Sequence, residues 1–371
     1  MMKDLIENIT ELNKNKIKFL KSLGKPSVGW TSIYTPEEIY YAAGIITFRI
    51  TGETGIDTTD ADAVLSHNFC SYVLSCLSEG LSGVYEFSDG IVFVDACDTR
   101  KRLYEAWCHN IKEKYSFFLE LPKVINQVTR EYFRLQVLRL VESVEVAFKC
   151  KITEQQLRCA IDLYNESRRL MQQIYELRKA DSPCITGHQA MDIIKASTSG
   201  MREEFNKRLA LLLAEANKVK NSEKERKHRV MLCGSYFDNN NIIETIERAG
   251  AVVVCEDVSN GIKYFEGEIV QSGNPLDAIA DYYLDKATCA RMTDSDVRLN
   301  NLLNKIEEYR VDSVIYFSLK FCDTNLIDFP YIKSKLQQNG IPVLFIEGEL
   351  HMTSIENLKT RIMTFIETRM Y

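Results

Sequence analysis

The strongest constraint on this chain is a pattern in which short β-branched runs and helical segments take turns. The pattern stops for a long helical stretch and then starts again. The first block holds the strand-like runs 27–32, 45–50, 90–95 and 115–121; the second holds 229–235, 251–255, 312–317 and 341–346. A parallel strand pair needs a crossover long enough to hold a helix, so this alternation predicts parallel sheets covered by helices. Residues 123–222 instead carry apolar residues at helical spacing, as in Tyr132, Leu135, Leu138 and Val141. Gly and Pro number 17 and 7 of 371 residues, too few for a turn-rich all-β protein or long disordered linkers.

The expected class is α/β: two Rossmann/flavodoxin-like lobes with parallel sheets, plus a helical N-terminus and a helical central region. The expected units are an N-terminal helical segment (1–25), a first lobe (26–122), a helical region and crossover (123–222) and a second lobe (223–371). The charged run Lys218–Arg229 is the expected hinge. Residues 3–23 read as one helix stopped at Gly24-Lys25-Pro26. A second helix opens at Thr35-Pro36-Glu37-Glu38, with Thr35 as N-cap and Glu38 completing a capping box, and Gly44 closes it.

With 46 Lys+Arg against 52 Asp+Glu, the net charge of -6 gives no electrostatic reason to bind nucleic acid. The charged N-terminus has no apolar stretch of signal-peptide length, and no run reaches the ~18 apolar residues that span a bilayer, so a cytoplasmic location is expected. Gly80-Leu81-Ser82-Gly83 and Gly187-His188 are too sparse to cradle phosphate, and the five histidines are scattered. There is no Gly-x-Ser-x-Gly elbow.

The eleven cysteines are the anomaly. An odd number spread thinly along the chain makes a poor disulfide framework, leaving buried apolar thiols or ligands for a soft metal centre. Ligands of open parallel sheets sit beyond the strands' carboxyl ends. Cys97 follows the run 90–95, Cys322 follows the run 312–317, and Cys70 opens a helix after a polar loop. Helix N-termini favour thiolate. Three thiolates converging from two lobes suit an iron–sulfur cluster with one iron left open. Cys289 is placed to line the cleft as a possible extra ligand. Cys76 lies off the face of Cys70, and Cys108, Cys150, Cys159, Cys184, Cys233 and Cys255 are expected to be inert core.

Three groups of residues resemble the 2-hydroxyacyl-CoA dehydratase and benzoyl-CoA reductase family. They are Tyr34-Thr35-Pro36-Glu37-Glu38-Ile39 with Ala42-Ala43-Gly44; Asp89-Gly90-Ile91-Val92 with Cys97-Asp98-Thr99 and Arg102-Leu103-Tyr104-Glu105-Ala106-Trp107; and Lys320-Phe321-Cys322-Asp323 with Pro330 and Gly340-Ile341-Pro342-Val343. The resemblance implies a [4Fe–4S] cluster held between two lobes by Cys70, Cys97 and Cys322. It also implies pairing with a homologous second subunit, or with itself, and an ATP-dependent iron–sulfur activator that injects one electron. The substrate would be an acyl-CoA thioester, reduced to a ketyl radical. Ser32, Tyr34 and Glu53 are the expected cleft-lining catalytic candidates, with Thr31 and Thr51 beside them. Substrate-holding dehydratase subunits carry Ser and Glu in these two loops; here Ile33 and Thr51 stand there, which favours an electron-relay subunit. Two alternatives stay open: a homodimeric reductase of small molecules with a double-cubane cluster recruiting Cys76, Cys108 or Cys289, and a non-catalytic electron carrier.

Overall fold

A computed structural model describes residues 1–52, 57–219, 226–286, 289–350, 352 and 356–370. The chain opens with α1 (Met2–Lys14) and α2 (Lys16–Leu23), two helices rather than the expected one. Asn15 breaks the run at φ -106°, ψ 14°, a conformation that an asparagine adopts readily because its side chain competes for local backbone groups. Gly24 then ends α2 in the left-handed region.

The first lobe follows as β1 (Ser27–Trp30), α3 (Glu37–Ala42), β2 (Ile46–Arg49), α4 (Thr59–Val64), α5 (Ser71–Leu81), β3 (Gly90–Val94), α6 (Asp98–Asn110) and β4 (Tyr115–Leu119). Its four strands are parallel in the order β2-β1-β3-β4. Then α7 (Gln127–Phe148), α8 (Glu154–Leu177), α9 (Gly187–Ser197) and α10 (Arg202–Ala216) form the helical region. The second lobe runs β5 (Arg229–Gly234), α11 (Asn240–Arg248), β6 (Val252–Asp257), α12 (Pro275–Asp285), α13 (Ser295–Glu308), β7 (Ser313–Leu319), α14 (Asp323–Gln338), β8 (Val343–Gly348) and α15 (Glu356–Met370). Its order, β6-β5-β7-β8, repeats that of the first lobe, again all parallel. The α/β reading with two parallel sheets therefore holds. Part of the expected hinge, 220–225, lies outside the described residues.

Both inner strands of each sheet are buried, as β-branched and aromatic runs covered on two faces must be. The helical region locks the lobes together through α8. Within α8, Arg168 donates to Glu38 at the start of α3, and Tyr283 of α12 donates to the other oxygen of Glu38 at 2.9 Å. Just past α8, Arg178 grips Glu256 of β6 with Nη1–Oε2 2.7 Å and Nη2–Oε1 2.5 Å, while Tyr175 donates to Oε2 at 2.5 Å. Both ion pairs are fully withdrawn from water, so each charge depends on its partner.

These contacts overturn the capping-box expectation. The N-cap of α3 is Pro36, Thr35 Oγ1 has no hydrogen-bond partner among the described residues, and Glu38 turns inward to Arg168. Glu37 is turned inward as well: it accepts from Trp30 Nε1 at 3.0 Å, Thr47 Oγ1 at 2.7 Å and the Tyr264 hydroxyl at 2.6 Å. Two buried carboxylates satisfied by distant donors outweigh a local cap worth ~1 kcal/mol. Among the described residues, no helix is long and apolar enough to cross a membrane.

Candidate functional site

In each sheet the two central strands, β1 with β3 and β5 with β7, send their connections to opposite sides, which opens a crevice at their carboxyl ends. The two crevices face one another across a single cavity enclosing about 1120 Å³ of atom-free space, part of it open to solvent. Residues following β1 (Ser32, Ile33, Tyr34), β3 (Cys97, Arg100), β5 (Ser235, Tyr236) and β7 (Cys322, Asn325) all line it. At Gly234 (φ 123°) a Cβ would stand 2.0 Å from the Phe317 carbonyl oxygen, so only glycine lets the loop after β5 lie this close to β7.

Cys70, Cys97 and Cys322 all line this cavity, and each is the N-cap residue of a helix: α5, α6 and α14 respectively. Cys97 and Cys322 each stand three residues beyond the last residue of a central strand. Cys97 Sγ lies 3.0 Å from Thr99 Oγ1, and Asn325 Nδ2 donates to Cys322 Sγ at 3.2 Å. Burial pushes the Cys70 thiol up to about 12, helped by the neighbouring charges of Cys322 and Cys97. Burial also raises the Cys322 thiol, against the hydrogen bond from Asn325. The expected thiolate-favouring effect of a helix N-terminus is thus outweighed at these two positions by desolvation and like charge. A positive metal core is what such a set of thiols lacks on its own.

Among the described residues, no group of three His, Cys, Asp or Glu side chains is tight enough to hold a single metal ion. A lone zinc draws its thiolates in at ~2.3 Å bonds, whereas a cluster offers each thiolate its own iron and tolerates a wider spread. Three thiols at one cavity are the soft sulfur donors that an iron–sulfur centre takes.

Of the other candidates, Ser32 and Tyr34 line the cavity, and Glu53 lies outside the described residues. The Tyr34 hydroxyl accepts from the Cys289 amide at 2.9 Å, tying the loop after β1 to the second lobe. Burial pushes the Tyr34 phenol well above its ordinary value. Thr31 is buried behind the cavity wall; its carbonyl accepts from Tyr72 at 3.1 Å and from Arg100, and its hydroxyl is unpartnered. Thr51 Oγ1 accepts from Lys16 at 3.3 Å.

Cys289 reaches the cavity, but Cys76 and Cys108 do not line it: Cys76 is buried beneath α5, and Cys108 is exposed on α6. The expected inert core cysteines divide. Cys233 and Cys255 are buried in strands, and Cys233 borders the cavity. Cys108 and Cys159 are exposed on helices, while Cys150 and Cys184 are half-buried in loops. Helical periodicity cannot tell an inward from an outward face when polar and apolar residues are mixed around the helix. Arg100 and Asn325, the residues that touch the thiols' surroundings, were not singled out in the sequence. The tripeptide Cys-Asp-Thr, present at 97–99 and again at 322–324, was the signal that could have drawn attention to both.

Known proteins share this sequence along most of its length. The chain is similar to the (R)-phenyllactyl-CoA dehydratase beta subunit of Clostridium sporogenes, 24% identical over 99% of this chain and 97% of that one. It is also similar to a subunit of the benzoyl-CoA reductase of Thauera aromatica, 26% identical over 92% and 90%. A third relative is the beta subunit of the (R)-2-hydroxyglutaryl-CoA dehydratase of Acidaminococcus fermentans, 22% identical over 98% of each. The family model described as 2-hydroxyglutaryl-CoA dehydratase, D-component, matches residues 32–368, from the loop after β1 to the last helix, and the chain belongs to that family.

Proposed function

We propose that this chain is the iron–sulfur subunit of an ATP-activated (R)-2-hydroxyacyl-CoA dehydratase or benzoyl-CoA reductase-type enzyme, with a [4Fe–4S] cluster held by Cys70, Cys97 and Cys322. The observation that carries the reading is the meeting of three helix-capping cysteines from two lobes at one cavity. When bound, such a cluster supplies a low-potential one-electron couple, with a Lewis-acidic position at any iron not taken by cysteine.

The chain's own residues do the rest. Cys70, Cys97 and Cys322 sit at the N-terminal ends of α5, α6 and α14, where the helix dipole favours negative charge. Asn325 orients Cys322. Tyr72 from the first lobe and Tyr236 from the second meet with ring centroids 4.1 Å apart and form part of the cavity wall. Ile33, buried in the loop after β1, puts an apolar side chain at the position where the family resemblance expects a serine. This supports a relay role, in which the chain passes an electron to a homologous partner subunit that holds the acyl-CoA. The relatives are themselves named as single subunits of larger enzymes, two of them as beta subunits, which supports the same pairing.

The test is anaerobic purification and reconstitution of the full chain, with iron and sulfide counted per chain. About four irons are expected for one cubane; an iron-free chain after reconstitution overturns the reading. Spectra recorded with acyl-CoA, with and without the homologous subunit, then separate relay from substrate binding. A response from the chain alone overturns the relay role.

A further inference from the structure

A charge imbalance in the cavity wall carries one more step, which rests on the cluster reading above. Three permanent cations line the cavity: Arg298, Lys263 and Arg100. Arg298 is matched by Asp328, with Nη2–Oδ1 2.5 Å and Nε–Oδ2 3.0 Å. Lys263 is matched by Asp257 at 3.0 Å, a carboxylate that Lys305 also approaches at 3.5 Å. Arg100 has no carboxylate partner among the described residues. Its guanidinium donates to the Thr31 carbonyl and lies 5.2 Å from the Tyr72 ring centroid, and the residue is 9% exposed.

A second guanidinium without a carboxylate stands behind it. Arg49 is 2% exposed, and none of its three guanidinium nitrogens has a hydrogen-bond partner among the described residues. It packs between the rings of Tyr236 and Trp30, 5.1 Å from each centroid. Since the Tyr236 ring lies against Tyr72, the side chains run in contact in the order Arg100, Tyr72, Tyr236, Arg49, Trp30, with the first three lining the cavity. Ring faces offset part of the cost of burying these cations, but an unpaired buried charge still demands an opposite one.

We propose that Arg100, backed by Arg49, is the built-in counter-cation of the anionic thiolate-bound centre in the cavity and raises its reduction potential. Three thiolates outweigh the positive charge of an oxidised cubane, and reduction adds another negative charge. A fixed guanidinium nearby therefore favours the reduced form.

The experiment uses the full chain, reconstituted anaerobically as wild type, Arg100→Met and Arg100→Lys, with iron counted and the midpoint potential followed by electron paramagnetic resonance. Arg100→Met is expected to keep its iron and to disfavour reduction about tenfold, about 59 mV toward the negative for a one-electron couple. Arg100→Lys is expected to stay near wild type. Full iron with an unchanged midpoint in Arg100→Met overturns the proposal and leaves the cluster reading standing; an iron-free wild type overturns both. A fall in Arg100→Lys as large as in Arg100→Met means packing, not charge, and also overturns it. If Arg100→Met fails to fold, Arg49→Met carries the test: a smaller negative shift is expected, and no shift refutes the proposal.

Discussion

The two lobes share a plan and differ in what they bring to the cavity. Both sheets have the same strand order, both place a cysteine three residues past the equivalent central strand, and both follow it with Asp and Thr. One residue later they part: the first lobe has Arg100, a buried cation, and the second has Asn325, a neutral donor to sulfur. The crossovers differ as well. Between β2 and β3, Cys70 caps α5; between β6 and β7, Cys289 lies in a loop ahead of α13, whose cap is Asp294. A duplicated frame supplies one thiol per strand end. The third cavity cysteine capping a helix and the cation without a carboxylate among the described residues come from the first lobe alone, so the two lobes contribute unequally to the cavity.

The sharpest way to break this comparison is to remove the equivalent thiols. Cys97→Ala and Cys322→Ala should each lose nearly all bound iron on anaerobic reconstitution. Near-normal iron in either variant would show that the lobes do not contribute equally. A smaller but substantial effect is expected at the α8 anchors. Arg168→Met strands Glu38 on the first-lobe side and Arg178→Met strands Glu256 in the second, each costing about 3–5 kcal/mol in denaturant unfolding. If one substitution moves only one of two resolved transitions, the lobes unfold separately; a common shift means α8 makes them one cooperative unit. The smallest effect should follow Cys289→Ser, which is expected to leave iron content unchanged. Loss of iron there would make the crossovers functionally equivalent and favour a larger cluster.

Much of this was readable in the chain because strand ends are local. The β-branched runs at 90–94 and 313–319 mark where each strand stops, and the next polar residues mark where a helix begins. That is enough to single out Cys97 and Cys322. The extent of α14 was harder to see, because it starts at Asp323 and runs through Pro330, a residue that ordinarily marks a helix boundary. The inward turn of Glu38 was not readable, since Arg168 lies 130 residues away and only the folded chain joins them. The column from Arg100 to Trp30 was hidden for the same reason: its members come from both lobes, and no spacing rule connects positions 30, 49, 72, 100 and 236.

Phe321, immediately before Cys322, has φ 59°, a backbone setting in which a bulky side chain costs of order 1–3 kcal/mol. Glycine would sit there at ease, yet it would also let the turn wander among several shapes. A phenylalanine stays in that setting only where the surrounding structure imposes it, so the entry to α14 is set by its packing and not by its own preference. The neighbouring thiol is therefore held in one place from the moment the protein folds, and whatever enters the cavity meets a sulfur that has no rearranging left to do.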